Sequence, residues 1–476
     1  MDITYKHLLF LTILTVTWIA RASEPTELLV GFKATPNPSV SSFQPLLFDS
    51  SGNYSLGFLR VNPNRLSLSV LHVPSSVQLW SANPTRSAKW GDSTQVFFNG
   101  SLILSDPKTG VFWSTQTAGD RVWLSNTSNL IVFGGDVLWQ SFDFPTDTLV
   151  ENQNFTSTMA LISSNGLYSM RLGPNYMGLF AKFMGLDPGP GQIYLRHRAM
   201  EVKADIIEGR PIYMVLESDG YLGTYQNGSS PVDVLPFNTF QQNILGIRRV
   251  SLEPDGNLKG YYWTGSSWTL DYQAIPESCE LPSACGSYGL CNSGKECSCL
   301  ENRTVHGSGG CVVENQISGD FCGAYENRFR VLRRSGVNLP FKELMGYKKM
   351  ASLELCEGAC ENNCTCWGAV YSNSSGFCYT IDYPVQTLVA VGDETKVGYF
   401  KVREGVGNRK VDTRLELGLG LFLGAVFVFG VVVGLIWYKL RSRGVKGYVE
   451  EERVVGIGPY KDLGTDRFRE IELCER

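Results

Sequence analysis

Leu138-Trp139-Gln140-Ser141-Phe142-Asp143-Phe144-Pro145-Thr146-Asp147-Thr148-Leu149 is the last of four places where tryptophan follows a large apolar residue in a short β-like run. The others are Leu79-Trp80-Ser81, Phe112-Trp113-Ser114 and Val122-Trp123-Leu124-Ser125. Around them, runs of this kind end at Ser51-Gly52-Asn53, Asn99-Gly100, Asn165-Gly166, Asp219-Gly220 and Asp255-Gly256. Asn-Gly and Asp-Gly pairs between apolar runs are hairpin signals, because these residues tolerate positive φ. Aromatic residues recurring in short strands predict sheets closed about an internal pseudo-symmetry axis, with all four tryptophans filling the centre as core.

Outward from this stretch the composition agrees. Charged residues make up 18% of the chain, aromatic residues 12%, and there are 50 glycines, a balance that suits strands and turns. The 476 residues are too many for one ordinary domain. A net charge of -4 excludes the basic surface that nucleic acid requires, so no nucleic-acid partner is expected. His7, His72, His197 and His306 stand apart from one another, which disfavours a histidine-based metal centre, and no cofactor is expected.

The ends of the sequence set the expected compartment. Lys6, the apolar run Leu8–Ile19 and the small-x-small triplet Ala20-Arg21-Ala22 read as a signal peptide over 1–22. Leu417–Tyr438 carries no charge and, at 1.5 Å per residue, spans about 33 Å, enough to cross a bilayer. The transmembrane helix is placed at 415–438. Lys439, Arg441, Arg443 and Lys446 follow it and belong on the cytoplasmic side. The expectation is a single-pass type I protein of the plasma membrane with an extracellular N-terminus and a cytoplasmic tail over 439–476. Glycosylation sequons at Asn53, Asn99, Asn126, Asn154, Asn227, Asn302, Asn363 and Asn373 all precede the span. In the span, Gly420, Gly424, Gly430 and Gly434 fall on one helical stripe, an expected face for close helix association.

Cysteine is absent before Cys279, and then twelve of the thirteen fall between Cys279 and Cys378; the last is Cys474. In a secretory compartment these twelve predict disulfides within small modules whose cores cannot stand alone. They divide into Cys279, Cys285, Cys291, Cys297, Cys299, Cys311 and Cys322, Cys356, Cys360, Cys364, Cys366, Cys378. Zinc chelation by Cys297-x-Cys299 or Cys364-x-Cys366 is the rival chemistry, and each six allows fifteen pairings that spacing alone does not choose between.

These motifs together resemble the plant G-type lectin receptor family. Leu79–Asn83, Gly100–Asp106 and Leu138–Leu149 resemble its bulb-type lectin domain. Arg249-Val250-Ser251-Leu252-Glu253-Pro254-Asp255-Gly256-Asn257-Leu258 resembles its S-locus glycoprotein region. Cys279-x5-Cys285-Gly286-x-Tyr288-Gly289-x-Cys291 resembles its EGF-like module, and Leu355-Cys356-x3-Cys360-x2-Asn363-Cys364-Thr365-Cys366 its PAN/apple module. The resemblance implies a mainly β chain with two consecutive β-prism-like lectin domains, at 28–151 and 152–274. Disulfide-rich EGF-like (275–314) and PAN/apple (320–404) modules follow. It also implies the pairs Cys356–Cys378 and Cys360–Cys366, then Cys279–Cys291, Cys285–Cys297 and Cys299–Cys311, leaving Cys322 and Cys364 for each other.

The family's kinases carry a Gly-rich loop, a strand lysine and a catalytic Asp, and Lys439–Arg476 has none of these. Tyr460–Ile471 does resemble the juxtamembrane segment that precedes such a kinase. The expectation is a kinase-less, receptor-like relative that is not an enzyme. Asp143 and Asp147 are paired carboxylates, yet they fall in a Phe-Asp-Phe-Pro-Thr-Asp-Thr turn where short acceptors bind backbone, so glycoside hydrolysis is not expected.

Mannose-binding relatives carry Gln-x-Asp-x-Asn-x-Val-x-Tyr. The equivalent positions here are Phe97, Asn99, Ser101, Ile103 and Ser105, then Ser125, Thr127, Asn129, Ile131 and Phe133, which have lost most of the polar fork. Glu253, Asp255, Asn257, Lys259 and Tyr261 come closer, and Glu253, Asp255, Asn257 and Tyr261 form the candidate carbohydrate site, with a plain hairpin turn at Asp255-Gly256 as the favoured alternative. If that pocket binds sugar, Asn257→Ala is expected to abolish binding and leave the fold intact. Two functions follow. One is a receptor-like glycoprotein that binds an extracellular peptide, protein or glycan and acts through a partner kinase, as a homo- or hetero-dimer through the membrane helix. The other is a wall-adhesion or decoy protein with no signalling output.

Overall fold

Alternation of buried and exposed residues along short strands builds, in the computed structural model, three small sheets before residue 141 and, among the described residues, five after it, three of them forming a second prism. The model describes residues 25–403 apart from 83, 85–86, 184–188, 190, 199–206, 208, 229, 293, 295, 302–306, 308–309, 312–320 and 323–328, together with 428–439. The expected signal peptide, Asn302, Gly420, Gly424, Cys474 and the juxtamembrane-like segment lie outside the described residues.

In the first prism, one sheet joins Phe43–Phe48, Tyr54–Asn62, Arg65–His72 and Val77–Ser81, with Ala88–Lys89 added to it. A second joins Lys33–Ala34, Gln95–Phe98, Leu102–Asp106 and Gly110–Ser114. The third joins Glu27–Leu29, Arg121–Leu124, Leu130–Phe133 and Val137–Gln140. Their inward residues, among them Leu47, Phe58, Leu68, Val96, Leu104, Val122 and Leu130, form one core. Trp123 departs from the expected central position. Val122 and Leu124 point inward, so the two-residue period of a strand turns Trp123 outward, where it is 39% exposed.

The second prism repeats the plan, with an offset seam. Thr148–Val150, inside the range expected for the first domain, pairs antiparallel with Arg248–Leu252 and so supplies a strand of the second prism. Asn154–Thr156 and Leu161–Ile162 each open another four-stranded sheet. The two prisms meet at His72, whose ring lies edge-on to Trp263 and Trp268 of the second prism at 5.0 and 5.5 Å between centroids. The Trp268 indole donates to Ser75 Oγ at 2.9 Å.

The cysteine-rich region carries six disulfides: Cys279–Cys291, Cys285–Cys297, Cys299–Cys311, Cys322–Cys364, Cys356–Cys378 and Cys360–Cys366. The hairpin Gly289–Cys291/Cys297–Cys299, in the module expected to be EGF-like, does not stand alone. It continues into Leu388–Ala390 and Val337–Asn338 of the PAN region, making one sheet across the expected 314/320 boundary. The second prism, the hairpin and the PAN sheet share one hydrophobic core, from Leu149 through Tyr288 to Val402.

In the PAN region the helix Leu353–Glu361 is capped by Ser352 and tied to Phe377–Ile381 through Cys356–Cys378. Lys401, 1% exposed, donates to the carbonyls of Cys360 and Asn363 at 2.8 and 3.0 Å, so a cation closes the helix C-terminus from the neighbouring strand. Residues 428–439 are helical and include Gly430 and Gly434. Among the described residues no helix is long and apolar enough to cross a membrane.

Candidate functional site

The residues expected to bind carbohydrate are brought together, and their hydrogen-bonding capacity is used within the protein. Asn257 is buried; its Nδ2 donates to Ile275 O at 2.7 Å and its Oδ1 accepts from Ile275 N at 3.0 Å. Asp255 accepts from Asn257 N at 2.8 Å and pairs with Lys259 Nζ at 2.9 Å. Tyr261 donates to Glu253 Oε1 at 2.9 Å, while the Arg249 guanidinium lies 4.3 Å over the Tyr261 ring. Burial pushes the Tyr261 hydroxyl well above its ordinary range, with the Glu253 hydrogen bond adding to it.

The equivalent positions of the first prism do the same structural work. Asn129 donates to Gln140 and accepts from Ser141 Oγ and Phe142 N, and Ser101 bonds Ser114 and Thr115. At each of these three hairpins a short polar side chain ties the turn to a segment farther along the chain.

A second constellation lies at one end of the first prism. Each sheet ends in a strand that delivers one tryptophan: Trp80 from Val77–Ser81, Trp113 from Gly110–Ser114 and Trp139 from Val137–Gln140. Serine follows directly in the first two and after one further residue in the third, and each serine hydroxyl locks back onto its own sheet. Ser81 meets Ser67 at 2.5 Å, Ser114 meets Ser101 at 2.8 Å, and Ser141 accepts from Leu130 N at 2.9 Å. The three indoles form a triangle with centroids 5.6–5.7 Å apart, all edge to face, the arrangement that ring quadrupoles favour.

Trp80 is buried, whereas Trp113 and Trp139 are half-buried. The Trp80 indole donates to Phe144 O at 2.8 Å, which places the Phe144 ring parallel to Trp139 at 5.6 Å while leaving Phe144 55% exposed. A cavity of about 390 Å³ opens over these rings, with Gln116 on its rim. Gln116 has φ 55°, left-handed backbone that costs a non-glycine residue about 1–2 kcal/mol.

A neighbouring cavity of about 460 Å³ shares Ser81, Pro84, Pro145 and Thr146 with the first, and runs to Asp147 and the turn at Ser163–Gly166 of the second prism. Both volumes fall within the range of small-ligand sites. Burial raises the Asp147 carboxyl above its ordinary range, opposed by the Thr148 hydrogen bond. The two paired aspartates differ in setting: Asp143 accepts from Gln140 at 3.0 Å near the surface, while Asp147 accepts from Thr148 at 3.1 Å. Among the described residues no group of three His, Cys, Asp or Glu side chains could hold a metal ion.

Of the sequon asparagines, Asn53, Asn99, Asn126, Asn154, Asn227, Asn363 and Asn373 are exposed. The Trp-Ser signal of the prism end was legible in the sequence as core; its role as a cavity wall was not, because residue type does not report that Phe144 and Gln116 come together beside those rings.

A family model described as the S-locus glycoprotein domain matches residues 221–303. A PAN domain-containing protein of Arabidopsis thaliana is 50% identical over 460 residues, covering 96% of this chain and 94% of its own. A G-type lectin S-receptor-like serine/threonine-protein kinase of the same plant is 26% identical over 89% of this chain and 51% of its own, so the chain spans about half the length of that relative. Among solved structures, the two-domain Scilla campanulata agglutinin aligns with 52% of the chain and 94% of its own at 15% identity, with a TM-score of 0.20.

Proposed function

We propose, for a chain that belongs to the plant G-type (S-locus) lectin receptor family as one of its PAN domain-containing members, that it is a non-enzymatic, receptor-like glycoprotein of the cell surface. It binds an extracellular ligand through the aromatic cleft of the first prism and acts through a partner kinase. The observation that carries this reading is the contrast between the two constellations. The Glu253–Tyr261 hairpin spends its polar groups internally, whereas the cleft over Trp113, Trp139 and Phe144 stands open. Seven exposed sequon asparagines support placement of residues 25–403 outside the cell. The glycine stripe supports partner association, since small residues let membrane helices approach closely.

The test uses the full chain at the plant cell surface. Tags at the mature N-terminus and the C-terminus are expected to be accessible from outside and inside respectively. Energy transfer to kinase-bearing family members is expected to fall when Gly424 and Gly430 are both replaced by Leu. Unchanged transfer, together with indifference to deletion of residues 439–476, would favour the adhesion or decoy role instead. Simple mannosides are expected to bind weakly or not at all, and a dissociation constant in the low micromolar range would return the sugar role to Asn257.

A further inference from the structure

Accounting for donors and acceptors in the cleft narrows the ligand class, on the premise that the cleft is the ligand site. The hydroxyls that line the aromatic cavity are already engaged. Ser81 bonds Ser67; Ser114 bonds Ser101 and accepts from Gln116 N; Thr115 bonds Ser101 and accepts from Leu102 N. The Phe144 carbonyl accepts from Trp80. Donors are left over: the indole N–H groups of Trp113 and Trp139 meet no protein acceptor among the described residues, and both residues line the cavity. The Gln116 side-chain amide is likewise without a protein partner there. Among the described residues no charged side chain lines this cavity, and Asp147 is the single ionisable one lining the adjoining cavity.

Such a wall offers ring faces and N–H donors but few acceptors. A sugar brings a hydroxyl donor with nearly every acceptor, and each donor buried without a partner is costly. A prolyl residue brings the opposite set: an apolar ring, a carbonyl acceptor and no N–H. Consecutive prolines also hold the extended polyproline II form before binding, so little chain entropy is lost on docking into an aromatic groove. We infer that the cleft takes a neutral, proline-rich extended peptide. Prolyl rings lie against Trp113, Trp139 and Phe144, the two indoles donate to peptide carbonyls, and the chain leaves through the adjoining cavity toward Ser163–Gly166.

The test is fluorescence anisotropy of the full chain in nanodiscs with labelled hexaproline, compared with cellohexaose and with a Gly-Ser hexapeptide. Saturable binding of hexaproline alone is expected. Trp113→Phe and Trp139→Phe, which keep a ring and remove the N–H, should each weaken it about tenfold, the worth of one hydrogen bond. Phe144→Ala and Gln116→Ala alter exposed or rim side chains, so they keep the test decisive if a tryptophan variant fails to fold, and both should weaken binding. Cellohexaose or Gly-Ser binding that depends on Phe144 would overturn the ligand class and leave the cleft as the binding site. Absence of hexaproline binding would also overturn the class. If a bound probe is indifferent to Phe144 and Gln116, the cleft itself is wrong as the site.

Discussion

Asn257 grips the backbone of Ile275 from both sides, donating to its carbonyl and accepting from its N–H, eighteen residues further along the chain. The side chain therefore replaces a missing pair of ladder hydrogen bonds between the Asp255-Gly256 turn and the segment entering the cysteine-rich region. Asn257→Ala leaves both buried groups unsatisfied, at about 1–3 kcal/mol each. The expected outcome is a loss of roughly 2–4 kcal/mol of unfolding free energy, read by chemical denaturation. An unchanged midpoint would return this residue to the surface role that its motif suggested.

Arg248 and Asp271 form an ion pair of 2.6 Å with both side chains at most 1% exposed, and Thr239 and the Ser218 carbonyl join the network, while Arg248 Nη2 meets no hydrogen-bond partner among the described residues. Removing one partner strands a charge in the core, so Asp271→Ala should cost about 3–5 kcal/mol. Replacing both by apolar residues of similar volume should be far milder. Denaturant midpoints of the single and double variants decide between these outcomes.

His72 is buried against Trp263 and Trp268, and desolvation lowers its imidazole below the ordinary 6.5. The unfolded chain then binds a proton at higher pH than the folded one. Stability is full above 6.5 and is lost as pH falls from 6.5 toward the folded value. His72→Phe removes this titration, so its melting temperature should fall less than that of the native chain over the same acid range. Parallel pH profiles for the two proteins would show that the seam does not feel the histidine.

Removing disulfides should expose unequal contributions. Cys322–Cys364 closes a separation of 42 residues and Cys360–Cys366 one of 6. Chain entropy assigns about 4 kcal/mol to the former and about 2 kcal/mol to the latter. Paired Cys→Ser variants, compared by thermal unfolding, should keep that order. Non-reducing mass mapping should find all twelve of these cysteines bonded, and two or more free thiols among them would refute the framework.

How much of this was legible in the sequence depends on the range of each interaction. The tryptophan runs and the hairpin dipeptides announced the prisms because each is local and recurs along the chain. The outward turn of Trp123 was hidden because a tryptophan in an apolar run looks the same on either face; only the neighbours Val122 and Leu124 decide. The Lys401 cap and the Arg248–Asp271 pair join residues 23 to 41 positions apart, and no single window contains both partners. Asn257 was visible as part of a motif, yet its partner Ile275 contributes only backbone, which leaves no trace in residue type.

The offset seam also governs how the protein can be made. Thr148 emerges from the ribosome long before Ser251, its partner across the strand pair, and Glu27 likewise waits for Trp123. Each prism is thus stitched shut by the first strand it needs and the last ones it receives. Such long-range pairing slows closure and leaves unpaired strand edges open meanwhile. A nascent chain halted between the two partners would hold an unfinished sheet, its open edge exposed to chaperones until the second hand of the clasp arrives.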